Sequence, residues 1–123
     1  MTEKQKMLMG ILYNAEDQAL IEERNHAKSL TRQFNEHWED KGRRNYLIGQ
    51  IFGSLGKNVH LEAPIYLDYG YRTTIGSDFF SNFNLTILDG GGVEIGNHVF
   101  IGPNVGSLYC EPPSRCEETR KGI

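Results

Sequence analysis

Two six-residue units stand back to back late in the chain, Ile95-Gly96-Asn97-His98-Val99-Phe100 and Ile101-Gly102-Pro103-Asn104-Val105-Gly106. Each opens on an aliphatic residue, follows it with glycine and carries valine in fifth place. A six-residue apolar period fits neither a helix, with its period of about 3.6, nor a flat strand, with its period of about 2. It fits a coil of short strands and turns whose opening aliphatic residue points inward at each corner of a prism. Fixed-period self-similarity of this kind predicts a parallel β-helix solenoid. Glycine in second place suits a tight corner that needs a small residue or unusual φ/ψ angles. The frame extends backwards: Val59, Ile65 and Tyr71 share it, then Ile75, Ser81 and Ile87, and two extra residues precede Ile95. The alternative is an antiparallel β domain with glycine-rich hairpins such as Asp89-Gly90-Gly91; two unbroken units with phased remnants favour the solenoid. Its inward residues are expected to be Ile75, Ile87, Ile95, Val99, Ile101 and Val105.

Before the repeat the spacing is helical. Thr2-Glu3-Lys4-Gln5 has the capping-box pattern, and Met7, Leu8, Ile11 and Leu12 give a short apolar face. Asn14 is a plausible cap for a second helix carrying Leu20, Ala27, Leu30 and Phe34. Its charged positions, Glu22, Glu23, Arg24, Lys28 and Arg32, read as a solvated face. A third helix is expected from about Asp40 through Ile48, Ile51, Phe52 and Leu55. The chain therefore divides into a helical segment (1–56), a repeat segment (57–105) and a tail (106–123) without the six-residue phase. By that phase the solenoid holds fewer than three coils and stops at Val105. His26 and His37 read as surface residues, and His60 and His98 as outward-facing neighbours of repeat positions.

With 123 residues, 38% of them hydrophobic, and a formal charge of −3, the chain has the size of one domain. Its mild acidity gives no reason to expect nucleic acid or an anionic membrane as partner. No apolar run approaches the roughly 18 residues of a membrane span. The polar N-terminus leads into no signal core, so a cytoplasmic protein is expected. Cys110 and Cys116 lack the spacing of a zinc site, and no metal is expected.

Several motifs resemble one family in their order along residues 2 to 105: Tyr13-Asn14-Ala15, Phe52-Gly53-Ser54-Leu55-Gly56-Lys57-Asn58-Val59, Asp68-Tyr69-Gly70, Ser81-Asn82-Phe83-Asn84 and Ile101-Gly102-Pro103-Asn104-Val105. They are similar to the maltose and galactoside O-acetyltransferases among the hexapeptide-repeat acyltransferases. The resemblance implies a mainly β chain, with a left-handed parallel β-helix behind a helical N-terminal segment; that handedness is an exception to the usual crossover rule. It implies a homotrimer with sites between subunits, using acetyl-CoA to acetylate a sugar hydroxyl. Such chemistry needs a general base, for which histidine is suited, and donors for the oxyanion. The resemblance puts the acceptor sugar at Asp68, Phe80 (where relatives often carry tyrosine), Asn82 and Asp89. Read from the residues alone, both aspartates are turn residues and Asn82 is a turn amide.

The family's catalytic base belongs to a His-Pro pair a few residues after Ile-Gly-Pro-Asn-Val. Here Pro112-Pro113 stand in that place and no histidine follows His98. Proline has no titratable group, so no catalytic residue is assigned. The family's remaining coils and C-terminal lid have no counterpart in the sequence, and the expectation is an inactive short form. Read one nucleotide later, the codons of the tail can spell Ala-Leu-Tyr-Thr-Ala-Asn-His-Pro-Leu-Asp, which suggests a frameshift. The second functional reading is a non-catalytic interaction or assembly module built on the same solenoid.

Overall fold

The structure, a computed structural model, describes residues 1–104, 108–109 and 116–117. Three helices come first: α1 (Glu3–Met9), α2 (Gln18–Glu36) and α3 (Lys41–Ile51). Ten short strands follow: β1 (Ser54–Leu55), β2 (His60–Leu61), β3 (Ile65–Leu67), β4 (Thr73–Ile75), β5 (Phe80–Ser81), β6 (Leu85–Leu88), β7 (Val93–Ile95), β8 (Phe100–Ile101), β9 (Leu108–Tyr109) and β10 (Cys116–Glu117). They form three parallel sheets, in orders β1-β4-β7-β10, β2-β5-β8 and β3-β6-β9. The chain visits the sheets in rotation, which is the expected solenoid; the antiparallel alternative is excluded, because every pairing among the described residues is parallel.

The true repeat is the coil. Ser54 pairs with Thr74, Thr74 with Glu94, His60 with Phe80 and Phe80 with Phe100, so equivalent positions recur every 20 residues. Two six-residue steps and one of eight make that turn, which accounts for the two extra residues before Ile95. Ile75, Ile87, Ile95, Val99 and Ile101 are all buried as expected, stacked with Leu61, Ile65, Leu67, Phe79, Leu85 and Val93. Tyr71 is misplaced by the simple six-residue frame: it is 40% exposed, and the inward residue of its corner is Thr73. Val105 lies outside the described residues. The expected stop at Val105 is corrected by β9, which pairs with β6, and β10, which pairs with β7. Ladder bonds are made by backbone, so a strand can join a coil without the side-chain phase that makes it visible in sequence.

The corner glycines serve close approach. A Cβ on Gly76 would lie 2.5 Å from Asn97 Oδ1 and 2.7 Å from the backbone of Gly96, the same corner one coil on. The unusual angles fall two residues later, where Asn58, Asp78 and His98 all have φ between 57 and 60°.

The helices differ in detail from expectation. The capping box of α1 is present, with Gln5 N–H donating to Thr2 Oγ1 and Thr2 N–H to Gln5 Oε1. Only Met7 of its apolar set is buried; Leu8, Ile11 and Leu12 are exposed. Asp17, not Asn14, caps α2, and Asn14 instead accepts from Glu16 N–H in a local turn. α3 ends at Ile51 and Leu55 is already in β1. Gly53 N–H donates to Thr73 O, and a Cβ there would meet Tyr71 O at 2.2 Å, so the chain joins the sheet sooner than helical spacing suggests.

The open edge of the first coil is covered by α2 and the residues after it. Asn35 places its amide against β3 like a missing strand, donating to Ile65 O and accepting from Ile65 N–H. Trp38 Nε1–H donates to Leu61 O. Phe34, Leu47, Ile48, Ile51 and Phe52 then join the solenoid's apolar column.

Candidate functional site

Two corners of the prism carry the residues of interest. One lies between β3 and β4 and between β6 and β7. Asp89 is buried there, accepting from Tyr69 N–H at 2.8 Å through one carboxylate oxygen and from the Thr73 hydroxyl at 2.9 Å through the other. Burial pushes its carboxyl above the ordinary carboxylate value, and its hydrogen bonds only partly offset that. Asp89 therefore lies inside the corner and not on its surface, where it holds Tyr69 in place. Asp68, one residue earlier and half-buried, makes no side-chain hydrogen bond or ion pair among the described residues. Its carboxylate is the open acceptor at this corner.

Residues that sequence reasoning passed over surround Asp68. Tyr69 is 5% exposed and packs with Met7, Leu20 and Tyr13. The Tyr13 hydroxyl lies 2.8 Å from where a Cβ on Gly90 would be, which fits the small residue at that corner. Arg24, read as part of a solvated face, instead donates to the Tyr69 hydroxyl and to Ala15 O, both at 2.7 Å. It fastens the loop between α1 and α2 over the corner. Its neighbour Glu23 accepts from the Tyr71 hydroxyl and pairs with Lys4. Burial raises the Tyr69 phenol's pKa and the Arg24 bond opposes it; burial and then the Glu23 bond raise that of Tyr71. Both phenols stay neutral at working pH. Tyr13-Asn14-Ala15 could have indicated this loop; Arg24 carries no sequence signal.

The second corner lies between β5 and β6. Phe80 stands on the outer face of its sheet in a column of rings, 5.1 Å from His60 and 5.0 Å from Phe100 with planes nearly parallel. Trp38 closes edge-on against His60. Asn82 Oδ1 accepts from Phe83 N–H, and its backbone N–H donates to Ile101 O; its amide nitrogen is left to donate. The structure thus brings Asp68 next to Asp89, and Phe80 next to Asn82, but separates the pairs by the length of β6, on the order of 10 Å.

As a chemical device the first corner offers a carboxylate acceptor and buried phenols, and the second an amide donor beside aromatic rings, a set suited to a neutral polyhydroxy ligand. A free base is not among these groups. His60 faces outward as expected and its ring binds Glu62; His98, also outward, pairs with Asp78 at 3.3 Å. His26 is exposed and His37 half-exposed. No group of side chains suited to a metal occurs among the described residues. Between residues 54 and 104 the only lysine or arginine residues are Lys57 and Arg72, so these coils have little to offer a ligand's phosphates. No helix among the described residues is long and apolar enough to cross a membrane.

Comparison with known proteins agrees with this fold. The maltose acetyltransferase hexapeptide capping motif matches residues 6–56. The galactoside O-acetyltransferase of Escherichia coli K12 is 38% identical over 102 residues, covering 82% of this chain and 50% of that protein. The crystal structure of a maltose O-acetyltransferase from Clostridium difficile 630 superposes with a TM-score of 0.84 at 43% identity, covering 93% of this chain and 62% of the other. A galactoside acetyltransferase in complex with coenzyme A gives a TM-score of 0.81 at 37% identity, covering 89% and 55%. The chain thus spans between half and two thirds of the length of these relatives.

Proposed function

Because the chain belongs to the maltose and galactoside O-acetyltransferases, hexapeptide-repeat enzymes with a left-handed parallel β-helix, we propose that it forms the acceptor side of an acetyl-CoA-dependent sugar O-acetyltransferase. In that reaction the sugar oxygen bonds to the thioester carbonyl carbon, its proton passes to a base, and coenzyme A leaves as the thiol. The observation that carries the reading is Asp68, an unengaged carboxylate at a corner where Asp89, the Thr73 hydroxyl and the Tyr69 hydroxyl are paired within the fold. Asp68 accepts from sugar hydroxyls, Asn82 donates to them, Phe80 supplies an apolar face, and Asp89 with Arg24 fixes the corner.

The separation of Asp68 from Asn82 supports a site shared between subunits, and with it a homotrimer. The exposed apolar side chains Tyr66, Phe83, Leu88 and Phe100 supply surface for that contact. A cytoplasmic location suits the acetyl donor.

This 123-residue chain is proposed to be a poor catalyst, because Pro112-Pro113 stand where the base is expected. Loss of a general base lowers turnover by on the order of 10²–10⁴-fold. The test follows release of coenzyme A thiol with acetyl-CoA and maltose or a galactoside. Turnover at the rate of a full-length relative, measured alongside, refutes the assignment of the base; a deficit of at least about 10²-fold is expected.

A further inference from the structure

The groove between α3 and the first coil, away from Asp68 and Asn82, has a composition of its own. It encloses roughly 390 Å³, within the usual range for small-molecule sites. Lys41, Arg44, Asn45 and Ile48 line it from α3, and Leu55 and Val59 from the coil. The four helical residues are three, four and seven positions apart, so they form one stripe, cationic at its start and apolar further on.

Arg44 is held in place: its guanidinium lies 4.4 Å over the Trp38 ring and donates to Trp38 O at 2.6 Å. Neither Lys41 nor Arg44 pairs with a carboxylate among the described residues. Of the acids nearby, Asp40 caps α3, Glu62 binds His60 and Asp78 binds Asn58 and His98, while the exposed Glu39, two residues before Lys41, pairs with neither cation. Lys41 also stands at the first position of α3, where the helix dipole adds to its positive field. In a chain of net charge −3 this leaves two cations without an ion-pair partner beside an apolar wall.

We propose that this groove binds a small amphipathic organic anion, its acid group held by Lys41 and Arg44 and its apolar part laid against Ile48, Leu55 and Val59. The acid group supplies the missing negative charge, and the wall gains by losing contact with water. Neither a neutral apolar molecule nor a bare inorganic anion satisfies both halves.

The test is an NMR titration of the isotope-labelled full chain with octanoate, octanol and inorganic phosphate at low salt. Octanoate is expected to shift the backbone signals of Lys41, Leu55 and Val59 saturably, with octanol and phosphate at least about fivefold weaker, since each makes only half the contacts. Lys41→Gln, at an exposed position, should weaken octanoate about three- to tenfold without altering the rest of the spectrum. About 0.5 M salt should weaken it as well. Equal binding of octanol, equal binding of phosphate, unchanged affinity in Lys41→Gln, or no saturable shift with octanoate would each overturn the proposal.

Discussion

Asp89 shows how a residue's surroundings decide what it can do. In sequence it is a turn aspartate followed by glycines, and the family resemblance makes it a sugar contact. In the fold both its oxygens are taken by Tyr69 and Thr73, and it has no exposure. That could not be read from sequence, because its partners lie 20 and 16 residues away and depend on coil register. Asp89→Asn keeps an acceptor for Tyr69 N–H and can donate to Thr73, so its cost should stay within about 1 kcal/mol; Asp89→Ala leaves a buried donor unpaired and should cost about 2–4 kcal/mol. The pH dependence has a definite sign. The folded carboxyl is raised above its ordinary value, so the stability it contributes is complete below about pH 4 and fades as pH climbs through the raised value. Denaturant titrations of wild type and Asp89→Asn should therefore show the wild type losing ground as pH rises above about 4, the ordinary carboxylate value. A difference that grows in favour of wild type over that range contradicts this description of the corner.

At the scale of elements, what was legible was whatever repeats. The step from Ile75 to Ile87 and from Ile95 to Ile101 predicted a parallel solenoid and the inward Ile75, Ile87, Ile95, Val99 and Ile101 correctly, while the same frame misplaced Tyr71 for Thr73. The start of α3 was legible too, since the expected beginning at about Asp40 is its N-cap. The handover from α3 to β1 was not, since Gly53 is chosen by the backbone of Tyr71, which lies across the coil. Nor was Asn35, one polar residue among many on α2, which completes the edge of β3. Asn35→Leu keeps the volume but leaves Ile65 N–H and O unpaired under a helix, and should lower stability by about 2–4 kcal/mol. Thermal unfolding would check this, and an unchanged midpoint would show that water pairs the edge equally well. Gly76→Ala forces a Cβ into the backbone of Gly96, which cannot yield as a side chain can, so a loss of at least about 2 kcal/mol is expected. A variant as stable as wild type would mean that the coils are stacked less closely than described.

The whole molecule is a stack of coils with helices closing its first layer, and the residues proposed to hold the acceptor sit on its corners. Asp68 at one corner and Asn82 at another make sense as one site only if neighbouring subunits bring them together. The family likeness put forward Asp68, Phe80 and Asn82 as candidates, while Arg24, which fastens the loop carrying Ala15, emerged only from the fold. The aromatic column of His60, Phe80 and Phe100 likewise follows from the 20-residue period that the shorter six-residue phase obscures. The central claim is that these coils hold a sugar acceptor at Asp68 and Asn82. The most direct measurement is titration of the isotope-labelled chain with maltose and with a galactoside, following the backbone signals of both residues. One of the two sugars is expected to shift Asp68 and Asn82 together, saturably, and Asp68→Asn is expected to lose the response while keeping the folded spectrum. A folded chain in which neither sugar moves either residue, or in which Asp68→Asn responds like wild type, would contradict it.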